Sequence, residues 1–237
     1  MDAKELIARR VARDFRDGFV VNLGIGVPTL AARYVAPGIN VILQSENGFV
    51  GLTDLQGEPD KDLTNAGGMP VGIMPGGAFF DSAMSFAIIR SGRVDATVLG
   101  GLEVDQEGNL ANWMVPGKTV PGMGGAMDLV TGAKQVIVAM EHRNKQGASK
   151  VLRRCTLPLT GKGVVTTIVT ELAYIKVTPL GLVLHEVAPG VSVPDVLRAT
   201  EADLIIAPDV KPMDLGLEAF ADEPAPAPSL RLELVNA

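Results

Sequence analysis

Glu46 is the residue of this chain whose type and position most clearly indicate chemistry. It stands in the string Ser45-Glu46-Asn47-Gly48, directly after the largely apolar and β-branched run 39–44. That run predicts a short central strand, and Asn-Gly supplies residues with which a chain reverses direction. In open α/β sheets, ligands bind beyond the carboxyl ends of the strands. We therefore expect the carboxylate to face a pocket, although turn statistics alone favour an ordinary exposed turn glutamate.

A carboxylate in such a place is suited to nucleophilic attack on an acyl group. It is ionised at pH 7 and needs no general base to attack a thioester carbonyl and form a mixed anhydride. Backbone N–H groups must stabilise the developing oxyanion, and glycines present such amides without side chains in the way. Glycine-dense stretches at 49–77 and 109–128 are expected to flank the strand ends. Acyl transfer remains one interpretation among several for an α/β ligand-binding or enzyme chain.

Three familiar motifs are suggested by the sequence and then fail. Gly24-Ile25-Gly26 follows a predicted strand as in a dinucleotide-binding fingerprint, but Thr29 stands where the third glycine belongs. Gly117-Lys118-Thr119 resembles the end of a phosphate-binding loop, but Asn112 stands where its first glycine belongs. No Gly-x-Ser-x-Gly string is found, so a serine hydrolase of that kind is not expected.

Cysteine and histidine offer little material for a metal site. The single cysteine, Cys155, excludes an internal disulfide and a multi-cysteine metal site. His142 and His185 lie far apart without metal-ligand spacing, and we interpret both as structural or surface residues. Arginines precede Cys155, but a partly buried structural thiol is the better interpretation than a nucleophile.

Composition narrows the class of protein and its partners. A chain of 237 residues with 47% hydrophobic content is large enough for one sizeable α/β core. The net charge of −6, scattered basic residues and only 4% aromatic residues argue against a nucleic-acid surface or binding to anionic membranes. No apolar run approaches the roughly 18 residues of a membrane span, and the chain starts without an apolar signal core. We expect a cytoplasmic protein.

Helices and strands are predicted to alternate in an α/β fold with an open, mostly parallel sheet flanked by helices and a small antiparallel hairpin. Little regular structure is expected over 49–77. One domain is predicted over 1–213, followed by a tail containing Pro and Ala over 214–237. The predicted elements are a helix that follows an Asp2 cap and stops at Gly18, strand 19–23, helix 29–36, strand 39–44, helix 81–90, strand 94–99, a turn at 106–108, strand 135–140, a hairpin of 173–178 with 182–187, and helix 194–200.

The string Leu43-Gln44-Ser45-Glu46-Asn47-Gly48-Phe49-Val50-Gly51 resembles the signature of the family I CoA-transferases, in particular the B-type subunits of the 3-oxoacid class. The resemblance covers roughly residues 2–213 and is highly specific because the matching strings are long. Further strings that resemble the family are 22–28, 65–67, 75–76, 81–86 and 111–128.

The resemblance implies transfer of CoA from an acyl-CoA to a carboxylic acid, a 3-oxo acid in particular, by ping-pong chemistry. Glu46 would attack the acyl-CoA and then carry CoA as a glutamyl thioester, and no metal or redox cofactor would be involved. The amides of Gly125 and Val27 would stabilise the oxyanion. The residues expected to bind substrate or CoA are Gly24, Gly26, Asn47, Gly48, Gly124, Asn112 and Lys118.

The resemblance also implies a partner. Family members place the site between a chain like this one and a homologous A-type subunit, commonly in a heterotetramer, on a fold shared with sugar-phosphate isomerases of the ribose-5-phosphate type. One alternative is therefore an isomerase or sugar-phosphate sensor in which Glu46 shuttles protons. Another is a noncatalytic partner subunit. In the tail we expect 224–228 to be extended and solvated, although alternating leucines at 230–234 would also suit an edge strand on a neighbouring subunit.

Overall fold

The computed structural model of the chain describes residues 1–55, 57–118 and 122–220. No helix among these residues has both the length and the apolar character needed to cross a membrane. The strands in chain order are β1 (Val20–Leu23), β2 (Ile42–Ser45), β3 (Phe49–Thr53), β4 (Gly72–Phe79), β5 (Ala96–Leu99), β6 (Glu103–Asp105), β7 (Leu110–Ala111), β8 (Gln135–Ala139), β9 (Val151–Leu152), β10 (Thr167–Val169), β11 (Ala173–Thr178), β12 (Gly181–Val187) and β13 (Leu204–Pro212). The helices are α1 (Ala3–Ala12), α2 (Val27–Leu30), α3 (Ser82–Arg90), α4 (Ala126–Gly132) and α5 (Val193–Ala199), with 3₁₀ turns at Ala31–Tyr34 and Leu217–Phe220.

Ten of the described strands form one sheet in the order β13-β12-β11-β10-β8-β5-β1-β2-β3-β4. The strands from β10 through β8, β5 and β1 to β2 run parallel, and so do β12 and β13. The other neighbouring pairs are antiparallel and include the predicted hairpin, β11 with β12. The expectation of an α/β fold with an open, mostly parallel sheet and a small antiparallel hairpin is confirmed.

The expectation of little regular structure over 49–77 was wrong, because β3 and β4 add two antiparallel strands beside β2. Glycine explains why the sequence pattern hid them. Gly51 has φ +86°, and a Cβ built on it would lie 2.8 Å from the Cα of Gly77. The register shifts between Val50 and Leu52 at this close approach. Glycines at a bulge permit such contact but remove the alternation of apolar side chains that identifies a strand.

A second small sheet, with the order β7-β6-β9, was also not expected. It is organised by Asp105, which is almost fully buried. Its carboxylate accepts hydrogen bonds from the amides of Glu107 (3.0 Å), Asn109 (3.1 Å) and Cys155 (2.9 Å), and the first two shape the predicted turn at 106–108. Burial raises the pKa of the Cys155 thiol, and the neighbouring carboxylate of Asp105 raises it further. Cys155 is therefore a protonated thiol, as expected of a structural cysteine.

The helices α1, α3 and α5 lie close to their predicted positions, but their details differ. α1 ends at Ala12 rather than at Gly18, and the predicted helix 29–36 is divided between α2 and a 3₁₀ turn. On α3 the fully buried side chains are those of Ser85 and Ile89, whereas Met84 is 54% exposed. A polar side chain, that of Ser85, therefore lies on the buried face of α3.

The two faces of the large sheet pack against different helices. One face lies under α1, and the other lies under α3 and α4. The first cluster includes Ile7, Val11, Val21, Val98 and Ile137. The second includes Ile89, Leu99, Leu129, Val136 and Val138.

A buried ion pair fixes α1 to the antiparallel part of the sheet. Arg10 donates to both carboxylate oxygens of Glu186, at 2.6 and 3.1 Å, and to Asp14 at 2.9 Å. Its guanidinium lies 3.6 Å from the ring centre of Tyr174, whose hydroxyl donates to Asp14 at 2.8 Å. The hydrogen bonds to these carboxylates raise the pKa of Arg10 above its usual value despite burial. The charges of Arg10, Glu186 and Asp14 are therefore paired with one another, as burial requires.

The chain remains packed a little beyond the predicted domain boundary at 213. Leu215 is buried, and Asp214 accepts a hydrogen bond from Arg13 at 2.9 Å. Residues 221–237, with the predicted extended segment and the alternating leucines, lie outside the described residues. The boundary at 213 and the tail's behaviour stay predictions.

His142 is a buried imidazole held by two hydroxyl groups. Its Nδ1 and Nε2 each lie 2.9 Å from a threonine Oγ1, of Thr170 and Thr200 respectively. Burial lowers the pKa of His142 from 6.5 to about 4, and the positive charges of Arg143 and Lys150 add to this effect. The ring is therefore neutral at pH 7 and ties the end of β8 to the segments after β10 and α5.

Replacing His142 with Gln is expected to flatten the dependence of the free energy of unfolding on pH between 6.5 and about 4. In this window the unfolded histidine takes up a proton that the folded one does not, so stability falls as the pH falls, by about 3 kcal/mol in total. Urea unfolding of the chain at several pH values measures this loss. An unchanged slope in His142→Gln would contradict the assignment.

Candidate active site

Glu46 lies in the short turn that joins β2 to β3. Ser45 and Phe49 are paired across the two strands, and the amide of Gly48 donates to the carbonyl of Ser45 at 3.1 Å. Gly48 has φ +133°, and a Cβ built on it would lie 2.2 Å from the carbonyl oxygen of Phe80. Only glycine fits there, because a side chain would collide with backbone. The expected strand followed by a tight turn is therefore confirmed, and it delivers Glu46 to the carboxyl end of β2.

The carboxylate of Glu46 is held by a buried amide on the neighbouring strand. Asn22, on β1, is 1% exposed, and its Nδ2 donates to Oε2 of Glu46 at 3.0 Å. The same nitrogen donates to the side-chain oxygen of Gln44 at 2.8 Å and to its carbonyl at 3.2 Å. The salt bridges among the described residues do not include Glu46. The carboxylate is therefore oriented by a neutral donor and is not neutralised by a described cation.

Gly125 lies against the same glutamate side chain. A Cβ built on Gly125 would be 3.1 Å from Cγ and 3.5 Å from Oε1 of Glu46. Gly125 is the N-cap of α4 and has φ −79°, a value that any residue adopts. The reason for glycine at this position is therefore space rather than backbone conformation. The two carboxylate oxygens have different surroundings: Oε2 accepts from Asn22, and Oε1 is on the side of Gly125.

The loop after β1 lies at the same sheet edge as the Glu46 turn, because β1 and β2 are parallel neighbours. Gly24 donates its amide to the carbonyl of Val98 at 2.8 Å, so its N–H is already engaged. Gly26 is exposed with φ +93° and caps α2, which Val27 begins. The amide of Val27 is one of the first N–H groups of a helix, which have no acceptor within the helix.

Three other predicted residues, Asn47, Asn112 and Gly124, lie at or near this edge. Asn47 is exposed and donates to the carbonyl of Thr64 at 2.8 Å, which fastens the Glu46 turn to the following loop. Asn112 donates to the carbonyl of Gly100, just beyond β5, at 3.1 Å. Gly124, with φ +52°, precedes Gly125. Lys118 is exposed at the end of a described segment. The binding roles of these residues, and of Gly24, Gly26 and Gly48, stay predictions.

Three residues that contribute to the site were not singled out from the sequence. Asn22 and Gln44 are polar residues within apolar strand runs, and Ser85 is a polar residue on the inner face of α3. All three are almost completely buried. Amide and hydroxyl groups at core positions need hydrogen-bond partners, so their occurrence next to the glutamate turn was an available signal.

No cluster of three or more histidine, cysteine, aspartate or glutamate side chains that could hold a metal ion occurs in the described part of the chain. The geometry at Glu46 instead combines an oriented carboxylate, a glycine that leaves space beside it, and nearby loop amides. This combination is suited to covalent chemistry at a carboxylate oxygen.

Comparison with known proteins gives a consistent result. A family model described as coenzyme A transferase matches residues 4–199. The chain is 60% identical over 222 residues to the beta subunit of acetate CoA-transferase from Haemophilus influenzae, covering 92% of this chain and 100% of that one. It is 52% identical to the B subunit of succinyl-CoA:3-ketoacid coenzyme A transferase from Helicobacter pylori, covering 84% of this chain and 97% of that one.

A solved structure extends the similarity to the fold. The crystal structure of acyl-CoA transferase from Escherichia coli O157:H7 matches with a TM-score of 0.74 at 26% identity. The match covers 91% of this chain but only 44% of that one, so this chain spans less than half of that longer polypeptide. The ten-stranded sheet and its helices therefore correspond to one part of a larger known fold.

Gly125→Ala is expected to displace Glu46 while leaving the fold stable. The new Cβ, 3.1 Å from Cγ of Glu46, needs a shift of a few tenths of an ångström or a change of rotamer. Either response should lengthen or break the hydrogen bond from Asn22. A crystal structure measures the displacement, and thermal melting measures stability.

Gly124→Ala is the matched control for this variant. Gly124 has φ +52° and no atom within 4 Å of a built Cβ, so alanine there is strained but not crowded. It should cost about 1–2 kcal/mol of stability and leave Glu46 in place. If Glu46 kept its position and its hydrogen bond in Gly125→Ala, the spatial role given to Gly125 would be wrong.

Proposed function

The chain belongs to the coenzyme A transferase family, and from this premise we propose that it is the subunit that bears the nucleophile, Glu46, in transfer of CoA from an acyl-CoA to a carboxylic acid. The observation that carries the proposal is the surroundings of Glu46: Oε2 is held by Asn22, and Oε1 is on the side of Gly125. A proton-shuttling isomerase would also use a glutamate, but the relatives are named as CoA-transferases.

The proposed first half-reaction moves CoA onto the protein. Oε1 of Glu46 attacks the carbonyl carbon of the acyl-CoA, the C–S bond breaks, and CoA leaves as a thiolate. The thiolate then attacks Cδ of Glu46 in the resulting anhydride and expels the first carboxylic acid as its carboxylate. The product is a thioester between Glu46 and CoA.

The second half-reaction is the reverse with another acid. The incoming carboxylate attacks Cδ of the thioester and displaces the CoA thiolate, and the thiolate then attacks the acyl carbonyl of the new anhydride. The new acyl-CoA leaves, and the carboxylate of Glu46 is restored. Since each step exchanges a carboxylate for a thiolate, the balance requires no metal, redox cofactor or net proton transfer.

We propose that the amides of Gly125 and Val27 stabilise the oxyanion in these steps. Gly125 is supported by its contact with the Glu46 side chain, and Val27 by its place at the start of α2, beyond the strand next to β2. Two such donors suit a tetrahedral oxyanion. For CoA itself we propose the exposed Lys118, because an ammonium group suits the phosphates of the cofactor moiety.

The acceptor is proposed to be a short-chain carboxylic acid. The relatives are named for acetate and for 3-ketoacids, which share the carboxylate that the second half-reaction needs. A 3-oxo acid, the narrower expectation from the sequence, stays a prediction. Parallel assays with acetate and acetoacetate decide between them.

A second polypeptide is proposed because the relatives are named as subunits and the E. coli chain is more than twice as long as the part matched here. A homologous A-type subunit would supply the other wall of the CoA site, in a heterotetramer with two copies of each polypeptide. We propose that this assembly works in the cytoplasm.

Glu46→Gln is expected to abolish CoA transfer by the assembled complex, with a loss on the order of 10⁴-fold or more, because the amide keeps the size of the side chain but is not a competent nucleophile. Chromatography of acyl-CoA species, with succinyl-CoA and a carboxylic acid acceptor, measures the rate. The same change at the exposed Glu201, beyond α5, is the control and should have no effect. Turnover near the wild-type rate in Glu46→Gln would refute the proposal.

The chain alone is expected to be nearly inactive, and mixing it with the A-type subunit should restore turnover. The reason is that half of the CoA site would be absent from the isolated chain. When a fixed amount of this chain is titrated with the A-type subunit, activity should reach its maximum at equimolar amounts. Full turnover by this chain alone, with the other polypeptide excluded by mass spectrometry, would contradict the two-subunit proposal.

A further inference from the structure

Three buried polar side chains connect α3 to the carboxylate of Glu46 in one continuous series. We call Ser85, Gln44 and Asn22 the polar chain. Gln44 donates through Nε2 to Oγ of Ser85 at 3.0 Å and accepts from Nδ2 of Asn22 at 2.8 Å. Asn22 donates to Oε2 of Glu46 at 3.0 Å. The three side chains are 0%, 3% and 1% exposed, respectively, so water cannot replace their partners.

Every link of the polar chain has a defined donor and acceptor. A carboxylate at neutral pH only accepts, so Asn22 must present its NH₂ group to Glu46. Gln44 must then present its oxygen to Asn22 and its NH₂ group to Ser85. The Ser85 hydroxyl donates to the carbonyl of Ser45 at 3.4 Å, which leaves its lone pairs for Gln44. If the Asn22 amide were reversed, its oxygen would face the Glu46 carboxylate. If the Gln44 amide were reversed, its NH₂ group would face that of Asn22.

The surroundings of the polar chain indicate that its side chains do more than fill space in the core. It lies on the sheet face that meets α3 and α4, beside the apolar cluster that contains Ile89 and Leu129. Oδ1 of Asn22 is buried without a hydrogen-bond partner among the described residues, and so is the hydroxyl of Thr97, the register neighbour of Asn22 on β5. Unpaired buried polar atoms destabilise a fold, so their retention next to Glu46 calls for a functional reason.

We propose that Ser85 is a positioning residue that acts through Gln44 and Asn22 to hold Oε2 of Glu46, so that Oε1 is the attacking oxygen. This proposal rests on the proposed nucleophilic role of Glu46. By fixing the orientation of the Gln44 amide, Ser85 fixes the acceptor that aligns Asn22, and Asn22 restricts the glutamate to one rotamer. The attacking oxygen is then held on the side of Gly125 before substrate arrives.

Ser85→Ala in the assembled complex tests the proposal. The Gln44 amide then loses its acceptor, and Glu46 regains rotamer freedom. The entropy cost of restricting a glutamate side chain again before attack corresponds to about a tenfold loss in rate. We expect kcat and the single-turnover rate of thioester formation to fall about tenfold, with KM changed less than twofold. Ser91→Ala, the same change at the C-cap of α3, is the control and should have no effect. An unchanged kcat in Ser85→Ala would overturn the proposal.

A double-mutant cycle separates positioning from packing. Gln44→Met removes the middle of the polar chain at nearly constant volume and should itself lower kcat about tenfold. If Ser85 acts through Gln44, adding Ser85→Ala to Gln44→Met should lower kcat by less than twofold further. Independent, multiplying losses would overturn the proposal, and an unchanged kcat in Gln44→Met would do so even if Ser85→Ala failed to fold. If Glu46→Gln is inactive while Ser85→Ala and Gln44→Met are fully active, only the positioning role of Ser85 is rejected. If Glu46→Gln is active, the proposed function itself is rejected.

Discussion

The hydrogen bond from Asn22 to Glu46 is the interaction on which the site depends. It joins the end of β1 to the turn after β2, and it distinguishes two oxygens that are chemically identical in a free glutamate. Because Asn22 is buried, its amide cannot exchange this partner for water, so the carboxylate keeps one orientation. Gly125 lies beside Cγ and Oε1 of the same side chain and leaves free the space that any Cβ would take.

The fold brings these groups together through the direction of its strands. β1 and β2 are parallel neighbours, so the Gly24–Val27 loop and the Glu46 turn emerge at one edge. The antiparallel strand β3 then carries the chain away from Glu46, and β4 returns it so that the backbone of Phe80 packs against Gly48. On the far side of the sheet, the Arg10–Glu186 pair ties α1 to β12. A rigid sheet therefore holds a short and sterically defined turn, which is the arrangement that precise positioning of a reactive group requires.

Much of the fold could be predicted from local patterns. The apolar runs that became β1, β2, β5 and β8 were clear, and so were the helix at 81–90 and the hairpin of β11 with β12. Glu46 could be singled out because a carboxylate followed by Asn-Gly comes directly after a predicted strand, but its role was given by the family resemblance. β3 and β4 were missed because their glycines erase alternation, and the polar chain was missed because its links join β1, β2 and α3, a tertiary arrangement that periodicity does not encode. The contact of Gly125 with Glu46 could be inferred only from a family resemblance.

If Glu46 carries CoA covalently, the intermediate can be trapped and its position in the chain mapped. The complex with the A-type subunit is incubated with acyl-CoA in the absence of an acceptor acid, treated with hydroxylamine, digested, and analysed by peptide mass spectrometry. We expect a hydroxamate on the peptide that contains Glu46, at that residue, in an amount that approaches one per copy of this chain. A fully active complex that forms its hydroxamate at another residue, or forms none, would show that Glu46 does not carry CoA.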